Sequence, residues 1–156
     1  MEHPDSLMAA RVWQRVQSRP IETPPLDILS FLQEESSDLS RYLQLQSALD
    51  PRQKSLLQSL IQKTRSCIFI LRGIAYLLSD TLPETQVYPL PKELPLSTLR
   101  RLYGDTLRRS NRYAQLRNDN AYGFAFTQLE TESQQRCVLL LQLIGNHTDK
   151  LLAFFP

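Results

Sequence analysis

Apolar residues recur every three or four positions along most of this chain, the spacing of one face of an α-helix. Leu7, Val12, Trp13 and Val16 predict a short helix from about Ser6 to Ser18, which the run RPIETPP breaks. Leu29, Leu32, Leu39 and Leu43 predict a second from about Leu26 to Leu49. Asp50, Pro51 and Gln53 then stand as cap, first helical residue and capping-box partner of a third. Its stripe runs through Leu57, Leu60, Ile61, Ile68, Leu71 and Ile74 to about Leu78. Two further helices are expected from about Leu96 to Leu116 and from about Ala121 to Ile144. The run RNDN separates them, and Gly145 reads as the C-terminal stop.

Between the two helix pairs lies SDTLPETQVYPLPKELP, which carries four prolines and no helical period. Its length decides the connectivity. A helix of ~25 residues is ~38 Å long at ~1.5 Å per residue. About 16 extended residues at ~3.3 Å each reach ~50 Å. This segment can therefore return along a whole bundle, which a simple up-and-down arrangement does not require.

Composition narrows the class. Apolar content is 42% and charged content 22%, with only 4 glycines, which suits one globular helical domain. A net charge of +2 marks neither a nucleic-acid binder nor a membrane-surface binder. Cys67 and Cys137 lie within helical patterns, with no Cys or His at metal spacing beside them. They read as small buried hydrophobes of a reducing compartment. MEHPDSLMAARVWQRV lacks the pattern of a signal peptide, and apolar runs such as CIFIL are too short to cross a bilayer. The expectation is a cytoplasmic protein without a membrane span.

The two helix pairs echo each other. Glu35 and Tyr42 stand seven apart, as do Thr106 and Tyr113, and Thr64, Cys67 and Leu71 have the spacing of Glu132, Gln135 and Leu139. FLQEESSDLSRYLQL, KTRSCIFILRGIAYLL, LRRLYGDTLRRSNRYAQL and YGFAFTQLETESQQRCVLLLQLIG resemble the ferritin-like superfamily, nearest to rubrerythrin-like domains, over about Leu26 to Gly145. The resemblance implies an all-α fold, a ferritin-like four-helix bundle with one long Pro-rich crossover and an extra short N-terminal helix. Its divisions are an N-terminal helix over 1–20, the bundle over 26–145 and an apolar tail over 146–156.

The resemblance also implies a place for a di-iron centre, built from one Glu on each of two helices and a Glu-x-x-His on each of the others. Carried over position by position, the first bundle helix keeps Glu35 and the second offers Thr64 and Cys67. The third offers Thr106, and the fourth keeps Glu132 with Gln135 in the histidine's place. Two of the six ligands survive, Glu35 and Glu132, and neither histidine does. The implied protein is a non-catalytic pseudoenzyme without a cofactor, acting as a structural or partner-binding protein. Glu35, Cys67, Glu132 and Gln135 mark its vestigial metal positions. The alternative is a metal-binding protein or oxidoreductase that uses those four residues to hold iron, manganese or zinc weakly.

Helical spacing places these positions on the apolar stripes. Glu35 falls among Ile28, Phe31, Leu32, Leu39 and Tyr42, whereas Glu34, Asp38 and Arg41 fall on the wet face. Glu132 falls between Leu129 and Leu139, with Arg136 one turn on to neutralise it. Tyr42 and Tyr113 are expected in the core with hydroxyls reaching Glu35, Thr106 or Glu132. Thr64 and Thr106 can return their hydroxyls to the carbonyl a turn back. Arg100, Arg101, Arg108, Arg109, Arg112 and Arg117 face only Asp105 in their own helix. They read as a solvated face, secondarily as a surface for an acidic partner, and nucleic acid is disfavoured. Trp13 and the tail LLAFFP are expected to pack across the bundle or to clasp a second copy.

Overall fold

A computed structural model of the chain describes residues 26–84, 90–118 and 121–152. Among them are four helices and no strand: α1 (Leu26–Leu45), α2 (Lys54–Ser79), α3 (Pro95–Leu116) and α4 (Gly123–Leu152), with a 3-10 turn at Pro51–Gln53. The helix expected over Ser6–Ser18 and the end of the tail lie outside the described residues.

The ends follow local chemistry. The Asp50 side chain accepts from the Arg52 amide and Pro51 opens the 3-10 turn, so the expected start holds, with three residues wound more tightly before α2. α2 stops at Asp80, the one described non-glycine residue with positive φ, at 58°. An aspartate tolerates that left-handed position better than most side chains, and its amide donates to the Tyr76 carbonyl at 2.7 Å. Pro95 occupies the first turn of α3, where a missing N–H costs nothing.

Two boundaries differ from the sequence pattern. α1 ends at Leu45 rather than near Leu49, although Leu49 still packs in the core. α4 does not stop at Gly145 but continues to Leu152. A glycine ends a helix by turning left-handed, and no described glycine has positive φ. Gly123 is the glycine that the fold requires. A Cβ there would lie 2.3 Å from the Arg117 carbonyl oxygen, so only glycine lets the α3–α4 turn close this tightly.

Two apolar clusters reveal the topology. One joins Ile28, Phe31 and Leu32 from the start of α1 with Leu71 and Ile74 from the end of α2. Tyr113 from the end of α3 and Phe126 and Leu129 from the start of α4 complete it. The other joins Tyr42 and Leu45 from the end of α1 with Leu57, Leu60 and Ile61 from the start of α2. Leu99 and Leu102 from the start of α3 and Leu140 and Leu143 from the end of α4 complete that one. Hence α1 runs against α2 and α3 against α4, while α2 and α3 run the same way. The connection after Asp80 must therefore return to the opposite end of the bundle. Near its close the Leu90 carbonyl accepts from Gln44 Nε2 at 3.2 Å, beside the end of α1.

α1 packs mainly on α2, α3 on α4 and α2 on α4, while α1 and α3 approach each other over a shorter stretch. Between the two apolar clusters lies a layer of buried polar side chains from all four helices.

Candidate functional site

The polar layer is an ion-pair centre. α1 contributes Glu35 and Asp38, three residues apart; α3 contributes Arg109 and Tyr113; α4 contributes Arg136. The Glu35, Asp38, Arg109 and Arg136 side chains are each at most 2% exposed. Arg136 is the hub. Its Nη1 donates to Glu35 Oε2 at 2.6 Å and its Nη2 to Asp38 Oδ2 at 3.1 Å. Arg109 donates both terminal nitrogens to Asp38 Oδ2, with Nη1 at 2.8 Å. Its Nε lies 3.4 Å from Glu35 Oε1, which also accepts from the Tyr113 hydroxyl at 2.9 Å. Two carboxylates thus face two guanidinium groups, and their formal charges cancel. Such pairing is what makes so many buried charges tolerable.

The electrostatics follow. Burial alone would raise the Glu35 carboxyl, but Arg136 and Arg109, with hydrogen bonds from Arg136 and Tyr113, hold it below its ordinary 4.5. Asp38 goes the other way. Burial pushes it up to about 6 against the pull of Arg109 and Arg136, and Glu35 adds to the rise. Burial disfavours both guanidinium charges, yet Glu35 first and Asp38 with it hold them protonated more tightly than usual. Burial pushes Tyr42 up to about 12, and Tyr113 is also raised, first by burial and then by Glu35.

The centre corrects several expectations from the sequence. Arg136 neutralises Glu35 and Asp38, not Glu132. Asp38 is an inner residue and not part of the wet face. Arg109 leaves the supposed solvated arginine face and enters the core. Four other arginines of that face are matched by acids: Arg101 by Glu93, Arg108 by Asp105, Arg112 by Glu34 and Arg117 by Glu130. Three of those acids stand outside the arginine helix and its local pattern. Tyr113 reaches Glu35 as expected, whereas the Tyr42 and Thr106 hydroxyls have no partner among the described residues. Thr64 does return its hydroxyl to Leu60 at 2.7 Å.

The four vestigial positions Glu35, Cys67, Glu132 and Gln135 differ in burial. Glu35 and Cys67 are buried, but Glu132 is half-buried and Gln135 exposed on the α2/α4 seam. There Lys63 Nζ donates to Gln135 Oε1 at 2.6 Å and lies 3.6 Å from Glu132 Oε2. Ser133 and Arg136 take the inner face of α4, about one residue round from the expected one. Sequence reasoning missed Asp38, Arg109 and Ser133. The available signal was that Leu129, Ser133, Arg136 and Leu140 also follow steps of three and four.

This donor set does not fit a metal. Both Glu35 oxygens and Asp38 Oδ2 are already taken by positively charged or hydroxyl donors, and two fixed cations repel a third. Burial, with the Glu35 charge next, pushes the Cys67 thiol up to about 12, far from the thiolate a metal binds. Among the described residues, no three or more His, Cys, Asp and Glu side chains are grouped to hold a metal ion.

One side of the centre opens outward. A cleft of about 310 Å³ runs along the α1/α3 seam, walled by Glu34, Ser37 and Arg41 from α1 and by Asp105 from α3. Asp38 and Arg109 form its floor. In comparisons with known proteins, the chain matches no family model, no curated protein and no solved structure.

Proposed function

We propose that the chain is a ferritin-like bundle, nearest to rubrerythrin-like domains, in which an ion-pair centre has replaced a metal centre. On this reading it works as a non-catalytic structural or partner-binding protein of the cytoplasm. The observation that carries the reading is the pairing of Arg109 and Arg136 with Glu35 and Asp38 in the middle of the bundle. Each guanidinium supplies one positive charge and fixed donors, so the acids keep their charge without an ion. Such a centre is balanced in charge and ties α1, α3 and α4 together. Its one carboxyl pushed up is Asp38, raised by burial to about 6.

A partner-binding role draws support from the outer faces. Phe69 is 80% exposed and Phe124 89%, and Tyr76 and Leu77 on α2 are also open. Rings so exposed are common at sites of association. No described helix is long and apolar enough to cross a membrane, so that route to covering them is closed to these helices. The free, buried Cys67 and Cys137 suit a reducing compartment.

The experiment is metal content per chain by plasma mass spectrometry, on protein grown with iron, manganese and zinc and purified without a tag. We expect far less than one ion per chain. Near-stoichiometric metal that disappears in Glu35→Ala would sink the reading and restore the enzyme alternative.

A further inference from the structure

We propose that the outer face of α4 is the interface with a second copy of this chain, the two α4 helices lying antiparallel along it. The inference names a partner for the partner-binding reading above and rests on that part of it; the ion-pair centre plays no role in it.

Between Phe124 and Thr148 every exposed side chain of α4 is uncharged. The other three helices carry charge on theirs: Asp27 on α1, Lys54 and Arg65 on α2, and Arg100, Arg101 and Arg108 on α3. The uncharged positions also keep a seven-residue period. Phe124, Thr131, Val138 and Gly145 stand seven apart, and so do Thr127, Gln134, Leu141 and Thr148. Interleaved at steps of three and four, the two sets have the spacing of a seam along which helices of separate chains pack. Phe124 is 89% exposed, Val138 57% and Leu141 51%, so no described part of the chain covers this seam.

The polar groups of the seam are ready to be covered. The Thr127, Thr131 and Thr148 hydroxyls donate to the carbonyls of Gly123, Thr127 and Ile144 one turn back, and Gln134 Nε2 donates to Glu130. A neighbour laid over them strands no hydroxyl donor. The flanking acids Glu130 and Glu132 are matched by Arg117 and Lys63. Gly145 gives an independent sign. Glycine weakens a helix interior, yet α4 runs through it to Leu152. A Cβ there would meet nothing within 4 Å, so the single chain has no need of glycine at that place, whereas a helix in close approach does. Charge and register select the occupant. Each chain carries a net +2, so two copies meet best through a face free of charge, and a partner with a charged face would bury it unpaired. In an antiparallel pair Phe124 meets the partner's Thr148 and Thr127 meets the partner's Gly145, while Thr131 meets the partner's Leu141 and Gln134 the partner's Val138. The most exposed ring thus faces the end with the smallest side chains. Each contact occurs twice, as a twofold pair requires, and opposed helix dipoles favour the same sense.

The test is sedimentation equilibrium of the full chain from about 5 to 500 μM, a range suited to an interface of small area. A monomer–dimer equilibrium is expected. Val138→Glu, at the centre of the seam, should weaken it at least tenfold with the circular dichroism spectrum unchanged. Gly145→Leu should also weaken it at least tenfold, while the melting temperature of the monomer holds or rises; that combination separates close approach from a folding defect. Leu43→Glu, at an exposed position of α1, should leave the equilibrium unchanged. Thr127→Cys should form no disulfide with its own copy, because antiparallel helices hold the two positions about 27 Å apart. A monomer at every concentration would overturn the proposal and leave the non-catalytic reading to the metal measurement. Association that either seam variant leaves unchanged, or that Leu43→Glu abolishes, would overturn this face, and a Thr127→Cys disulfide would overturn the antiparallel register.

Discussion

Replacing Arg136 by Met tests whether the ion-pair centre is held by mutual compensation. The change deletes the donors at 2.6 Å to Glu35 and 3.1 Å to Asp38 and leaves a thioether of similar length. Glu35 then keeps the Tyr113 hydroxyl and Arg109 Nε at 3.4 Å, which leaves one oxygen without a partner in a fully buried site. Breaking a buried pair in this way costs about 3–5 kcal/mol. That is a large part of the ~5–15 kcal/mol that holds a domain of this kind together. The assay is urea unfolding followed by circular dichroism, with the slope checked for constancy. In a domain of about 150 residues the same loss lowers the melting temperature by roughly 10–15 °C. Two internal controls follow. In Arg136→Met the unpaired Glu35 carboxyl rises above its unfolded value, so the penalty is full at neutral pH and shrinks as pH falls toward 4.5, its ordinary value. In the double variant Glu35→Gln, Arg136→Met the losses should not add, with a coupling of at least ~2 kcal/mol. A loss below ~1 kcal/mol in the single variant, or simple additivity in the double, would refute the compensation argument.

Asp38 predicts the opposite acid response. Its folded value is raised from 3.8 to about 6, so protonation favours the folded state, and stability should rise by ~2 kcal/mol as pH falls from 7 to 4.5. Below about 4.5 protonation of the low-lying Glu35 opposes this gain. Asp38→Asn should flatten the rise in melting temperature between pH 7 and 4.5; an unchanged rise would assign it to another group. Tyr113→Phe removes one hydrogen bond to buried Glu35 and should cost ~1.5–3 kcal/mol in urea unfolding, since the acceptor is charged. Glu132→Gln loosens a surface contact with Lys63 and should change stability by less than ~1 kcal/mol by the same assay. Cys67, buried and pushed up to about 12, should resist a thiol reagent at pH 8 until the protein unfolds; rapid native labelling would contradict its environment.

The sequence by itself determined the four described helices and the proline-marked breaks between them, though not where α1 and α4 end. Apolar periodicity, Pro51, Pro95 and the Pro-rich run between the helix pairs are local features, and local sterics suffice to read them. Glu35 was legible as an inner residue because apolar side chains surround it at helical spacing, and so were Tyr42, Tyr113 and Thr64. Tertiary structure alone decided which charged residues join them. Asp38 and Arg109 look like surface residues because burying either one alone is prohibitive. What makes both tolerable is a partner on another helix 71 residues away, and no local pattern carries that information. The rotation of α4 was decided in the same way. Glu132 and Ser133 both lie on plausible stripes, and the choice fell to the arrangement that lets Arg136 meet two acids on α1 while Glu132 keeps Lys63 and water.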